Sequence, residues 1–197
     1  MGLAGCGSAS VAAMISLEGY PYAQLVPTRW NDNDVYGHVN NTVHHLAMDT
    51  VINAWMIEHA GLDIAAGAAV GLCVESGCRY LAAVTYPDAM VLGLRISRLG
   101  TSSVHWQVAM NRESDGERIA EGTFVHVFVE RTTRRPTSLT STMRVAMEPL
   151  VVPAGVDPLP ALTGHADSGR ILKDKQVSAS WNGCGAPTEG DRHRAQS

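Results

Sequence analysis

Aromatic residues make up only 6% of this 197-residue chain, and just two of them are phenylalanine. Charge is also sparse, at 17%, and neither sign dominates: 15 Lys+Arg against 19 Asp+Glu leave a net charge of -4. A general nucleic-acid binder carries a basic surplus, so that class is excluded. Long hydrophobic runs are missing too. The apolar stretches are short and broken by Gly or charged residues, so no membrane span is expected. Cysteine is limited to Cys6, Cys73, Cys78 and Cys184. No CxxC pair occurs, which removes zinc ribbons and thioredoxin-like motifs. A disulfide framework is not expected at this size, so the four are read as free thiols of a reducing, cytoplasmic compartment. The string Leu3-Ala4-Gly5-Cys6 resembles a lipobox. Only Met1 and Gly2 precede it and the first basic residue is Arg29, so no lipoprotein or secretory signal is expected.

What is present suits one domain. Apolar residues reach 45%, enough for a real core. Residues 1–19 are small and polar and read as a flexible arm. Residues 20–150 carry the periodic signal. Residues 151–197 hold few large apolar side chains among scattered Pro and Gly, and read as a disordered tail.

Within 20–150 the periods change in order. Tyr22, Gln24, Val26, Thr28 and Trp30 alternate with their neighbours as an extended segment does. Pro21 and Pro27 push that strand to a sheet edge or bound its ends. A turn-rich loop follows over Asn31–His38. A helix is expected from Asn40 to Ala60, apolar around most of its circumference and therefore buried on most sides. Strands are expected at Val70–Tyr80, Met90–Leu99, Ser103–Arg112 and Ile119–Glu130, with a final short one between Thr137 and Met147. One helix followed by consecutive antiparallel strands is an α+β pattern.

The chemistry concentrates in Arg29-Trp30-Asn31-Asp32-Asn33-Asp34-Val35-Tyr36-Gly37-His38-Val39-Asn40-Asn41. Two carboxylates stand just before a helix whose first amides have no intrahelical partner. Those amides carry the positive end of the helix dipole and stabilise an oxyanion. A carboxylate beside them either attacks an acyl carbon or activates a water.

The string Trp30–Asp34 through Gly37-His38-Val39-Asn40-Asn41 resembles the signature of the 4-hydroxybenzoyl-CoA thioesterase branch of the hotdog superfamily. Ordered echoes continue in Arg79-Tyr80-Leu81, Tyr86-Pro87-Asp88, Arg98–Val104, Ala120-Glu121-Gly122 and Val125-His126-Val127. The resemblance covers about Tyr20 to Met147. It implies a hotdog fold, a curved antiparallel sheet of five to six strands wrapped around one long helix. It also implies homodimers or homotetramers with active sites at the subunit seam, and an acyl-CoA or acyl-carrier thioester as substrate. No cofactor or metal is implied. By position, Asp34 is the catalytic carboxylate and the Asn41 backbone amide polarises the thioester carbonyl. Gly37 allows close approach, and His38 and Asn40 hold the loop or line the pocket. Thr101, Ser102 and Ser103 lie on the hairpin that meets the substrate. That hairpin lacks the basic cluster of aryl-CoA relatives: Leu99-Gly100-Thr101 stands there, with Arg98 the nearest cation and Arg131, Arg134 and Arg135 as substitutes.

Other readings of these residues stay open. Asp34 also suits a helix cap or an Asx turn. An EF-hand loop fails, because Tyr36 and Val43 occupy its fifth and twelfth positions. His45 and Asp49 stand four apart, but no third metal ligand accompanies them. Glu75 and Asp49 are alternative carboxylates for substrate binding or catalysis. A non-catalytic acyl-CoA-binding protein and an acyl-thioester hydratase or dehydratase are the rival functions. The latter uses motifs not found here.

Overall fold

The computed structural model describes residues 16–153. The expected arm and tail therefore fall outside the described residues, apart from 16–19 and 151–153. The strands are β1 (Tyr22–Val26), β2 (Ala69–Tyr80), β3 (Met90–Leu99), β4 (Ser103–Arg112) and β5 (Arg118–Glu130). The helices are α1 (Asn41–Glu58) and α2 (Ser141–Met147), with 3-10 turns at Trp30–Asp32 and Glu148–Leu150.

The strands form one antiparallel sheet in the order β1-β3-β4-β5-β2. β1 is an edge strand flanked by its two prolines, which need no ladder partner there. It stops at Val26, so the expected extended segment is cut short. Beyond Pro27 the chain turns into the 3-10 helix. β2 is the other edge, and carries a bulge between Cys73 and Glu75.

Alternation decides the core. Leu92, Leu94 and Ile96 of β3, Val104, Trp106 and Val108 of β4, and Phe124 and Phe128 of β5 cluster with Met48, Val51, Ile52, Trp55 and Met56 of α1. Trp55 meets Trp106 edge-on, with centroids 5.6 Å apart. Burying a side chain of this size contributes about 1.5–3 kcal/mol. The other sheet face is covered in part by Leu17–Tyr20, where Arg95 lies over the Tyr20 ring and donates to Gln107 at 2.7 Å.

Two further expectations need correction. The helix is not buried on nearly all sides: Leu46 is 55% and Ile57 41% exposed in the single chain. The short strand expected between Thr137 and Met147 is the helix α2. A strand would bury Met143, Val145 and Met147 alike. Instead Met143 and Met147, four apart, are buried while Val145 is exposed, which is helical spacing. Thr140 caps that helix by accepting from the Met143 amide at 3.2 Å.

α1 lies so close to β5 that Gly122 has no room for a side chain. A Cβ there would collide with Met48 Sδ and sit 3.3 Å from the Gly77 carbonyl. Gly122→Val is predicted to destabilise the fold by about 1–3 kcal/mol, read as a lower urea midpoint with unchanged slope.

Candidate active site

The loop before α1 is a chain of local closures. Arg29 grips Asp32 with Nε at 3.0 Å and a terminal nitrogen at 2.8 Å, while its backbone amide donates to the other carboxylate oxygen at 2.7 Å. Asp32 is buried. Burial alone raises its pKa, but the Arg29 hydrogen bonds and charge together hold it below the ordinary value. Both oxygens of that carboxylate are thus engaged within the turn.

Asp34 is placed differently. It is half-buried, and its Oδ1 accepts from the Tyr36 amide at 2.8 Å. Its second oxygen has no partner among the described residues. The Asp34 amide donates to the His38 carbonyl at 2.9 Å, and the Gly37 amide to the Asp34 carbonyl at 3.0 Å. Gly37 has φ 84, a left-handed conformation that favours glycine. Asn33 and Val39 form a bridge, and the Asn40 amide donates to the Asp32 carbonyl at 2.8 Å. The two limbs of the loop are zipped, which draws Asp34, Gly37, His38, Asn40 and Asn41 into one small region.

The β2–β3 connection pins the loop from outside. The Val39 amide donates to Val84 at 2.8 Å, Thr85 Oγ1 to Gly37 at 3.1 Å, and the Tyr86 amide to Asn33 Oδ1 at 3.1 Å. Thr85 and Val84 were not singled out from sequence. The Tyr86-Pro87-Asp88 echo was the available signal for this segment.

Helix capping then selects one amide. Asn40 Oδ1 accepts from the Thr42 amide at 2.9 Å, and the Asn40 carbonyl accepts from Val43 at 2.9 Å. The Asn41 amide is left without an acceptor among the described residues. It points no bond into the helix, as expected of a first-turn donor. A cavity of about 210 Å³ lies at the Arg29–Asp32 end of the loop, against Val43, Leu46 and Thr50 of α1, and its lining does not include Asp34 or Asn41.

The remaining candidates lie elsewhere in the single chain. Glu75 is exposed on β2, at its bulge. Thr101, Ser102 and Ser103 turn between β3 and β4, at the end of β3 opposite Met90. Ten residues of strand put roughly 30 Å between those ends. The carbonyls of Thr101 and Ser102 accept from Leu139 at 2.9 Å and Phe128 at 2.7 Å, and Arg144 donates to Gly100 at 2.6 Å. Arg131, offered for phosphate binding, is spent on the carbonyls of Gly67 and Ile64 at 2.7 and 3.1 Å. No cluster of three or more metal-ligating side chains occurs among the described residues.

A family model described as the thioesterase-like superfamily matches residues 28–147. The chain belongs to that superfamily. The PA5185 protein of Pseudomonas aeruginosa is 45% identical over 67% of this chain and 92% of its own, with a TM-score of 0.65. A thioesterase of Thermus thermophilus complexed with coenzyme A and zinc is 28% identical over 68% of this chain and 96% of its own, TM-score 0.58. A 1,4-dihydroxy-2-naphthoyl-CoA thioesterase of Synechocystis shares the fold at 15% identity, covering 67% of this chain and 98% of its own, TM-score 0.60. No curated protein matches the chain. The sheet and its central helix are those of the hotdog thioesterase-like fold, and no helix among the described residues is long and apolar enough to cross a membrane.

The Arg29–Asp32 closure generates a prediction. A carboxylate with a depressed folded pKa stabilises the protein above its unfolded value and loses that contribution as pH falls through the folded one. Asp32→Ala should destabilise by about 1–2 kcal/mol at neutral pH. The gap from wild type should be complete above pH 3.8 and shrink in more acid solution, measured by denaturant titration across pH.

Proposed function

We propose that this member of the superfamily is an acyl-CoA thioesterase, cleaving an acyl thioester to the free acid and CoA. The observation that carries the proposal is the selective capping of α1. Thr42 and Val43 have their amide protons taken, and the Asn41 amide next to the Asp34 loop does not. An amide of that kind is suited to an acyl carbonyl whose oxygen gains charge during attack. Asp34 suits the other half of the reaction, because the Tyr36 amide fixes one oxygen and leaves the second available.

Two routes balance. In one, the Asp34 oxygen attacks the acyl carbon, CoA leaves as thiolate, and water hydrolyses the resulting anhydride. In the other, Asp34 takes a proton from water as that water attacks, and CoA leaves as thiolate and is protonated by solvent. In both, the developing oxyanion is met by Asn41. Asp32 has no part in the chemistry, since Arg29 already uses its charge.

The proposal includes a second copy of the chain. β2 is a long edge strand with one partner, and Leu72 and Val74 on it are exposed, as are Leu46 and Ile57 of α1. An edge of this kind invites pairing unless it is covered. Association through β2 would offer Glu75, and a partner's hairpin of Thr101, Ser102 and Ser103, for substrate contacts that one chain leaves apart. The compartment proposed is the cytoplasm.

Wild-type protein should release thiol from an acyl-CoA in a panel of short, long and aromatic acyl groups. Asp34→Asn should lower kcat by about 100-fold or more with the wild-type melting temperature. Tight acyl-CoA binding with no thiol release would favour the binding-protein reading, and near-normal Asp34→Asn turnover would remove Asp34 from the mechanism. For the assembly, sedimentation should give at least twice the 21.0 kDa chain mass. Val74→Lys should shift the protein to single chains and reduce turnover with it.

A further inference from the structure

The amide of Asn41 and the carbonyl of Asn40 belong to one planar peptide unit, so whatever holds that carbonyl aims that amide. Two donors hold it: the Val43 amide at 2.9 Å and His44 Nδ1 at 3.2 Å. A carbonyl only accepts, so Nδ1 carries the proton and the neutral ring's Nε2 carries the lone pair. That Nε2 is buried with no partner, and His44 is only 4% exposed. Burial keeps the ring neutral by lowering its pKa, against a smaller opposing pull from the Asn40 carbonyl.

The next peptide unit is held as well. Tyr80 donates its hydroxyl to the Asn41 carbonyl at 3.2 Å, and its ring meets His44 edge-on with centroids 5.4 Å apart. Burial, then the neighbouring Cys78, push the Tyr80 pKa up to about 12, so the hydroxyl remains a donor. The peptide units on both sides of Asn41 are thus clamped by side chains, one from α1 and one from β2. If His44 were only a core filler, a phenylalanine would fill the slot without leaving a ring nitrogen unsatisfied. The nitrogen that is used is the one facing the Asn40 carbonyl.

Building on the thioesterase reading above, we propose that His44, braced by Tyr80, is a positioning residue that aims and polarises the Asn41 amide toward the acyl oxyanion. The proton on Nδ1, the Asn40–Asn41 peptide unit and the oxyanion form one hydrogen-bonded row, in which each bond strengthens the next. His44 touches no reacting atom. Its effect should therefore appear in the chemical step and not in substrate capture.

The test compares His44→Phe, His44→Asn and Tyr80→Phe in the full chain, using the acyl-CoA that wild type cleaves fastest. His44→Phe should lower kcat about tenfold with KM within about twofold. His44→Asn restores an amide donor near the Nδ1 position and should recover much of that loss, a rescue that a purely structural role would not produce. Tyr80→Phe keeps the ring and removes only the hydroxyl, so it tests the clamp even if a His44 variant fails to fold; kcat should fall about threefold. Wild-type kcat in both His44→Phe and Tyr80→Phe, or a His44→Asn no better than His44→Phe when both melt normally, would overturn the assignment while leaving the hydrolase intact. A wild-type chain that releases no thiol from any acyl-CoA would overturn both.

Discussion

The clasp between the Asn40 amide and the Asp32 carbonyl is the constraint on which the candidate site depends. Asp32 can hold that carbonyl still because Arg29 holds Asp32, through three hydrogen bonds in a four-residue turn. Once Asn40 is fixed, its side chain caps α1 and its carbonyl takes Val43 and His44. Only then does one amide, that of Asn41, remain for something outside the helix. The loop between the clasped ends is short, so chain connectivity keeps Asp34 near the start of α1 as much as any long-range contact does. Pins from Val84, Thr85 and Tyr86 tie the whole unit to the sheet. Local hydrogen bonds thus build the site, and the hydrophobic core holds it in place.

The same design explains why two acids two residues apart have different fates. Asp32 is buried with both oxygens engaged by Arg29, and its charge is paired locally. Asp34 spends one oxygen on the turn and keeps the other. A carboxylate that is held at one oxygen and open at the other is what the proposed chemistry asks for. The exposed apolar strip on α1 and the uncovered edge of β2 repeat this theme on a larger scale, because both are incomplete surfaces in a single chain.

Much of the frame was legible in the sequence. β3, β4 and β5 are long strand-forming runs of ten or more residues bounded by turn residues, and α1 has a long apolar run between a polar loop and Gly61. Each starts and stops within one or two residues of the expected place. α2 was not legible, because over seven residues Met143, Val145 and Met147 satisfy a period of two as well as Met143 and Met147 satisfy a period of four. Only the burial of the methionines and the exposure of Val145 distinguish them. The end of β1 was missed for a related reason: Thr28 and Trp30 continue the alternation, but the Arg29–Asp32 closure wins locally.

For the candidate site, the string around Gly37 pointed to the loop, while the way its two acids are engaged lay beyond sequence. Nothing in the order Asp32-Asn33-Asp34 says which acid Arg29 will take. Nor does sequence reveal that β3 places the Thr101–Ser103 hairpin a full strand away from Asp34, or that Arg131 is consumed by the 63–67 turn. His44 and Tyr80 lie 36 residues apart in sequence and meet only because α1 begins against the end of β2.

The most direct measurement is a crystal structure of the protein with a non-hydrolysable acyl-CoA in which a ketone replaces the thioester. The account predicts the ketone oxygen at about 2.7–3.1 Å from the Asn41 amide nitrogen, with the free Asp34 oxygen, or a water it holds, facing the carbonyl carbon. An acyl carbonyl bound away from the start of α1, with Asp34 turned to solvent in every subunit, would contradict it.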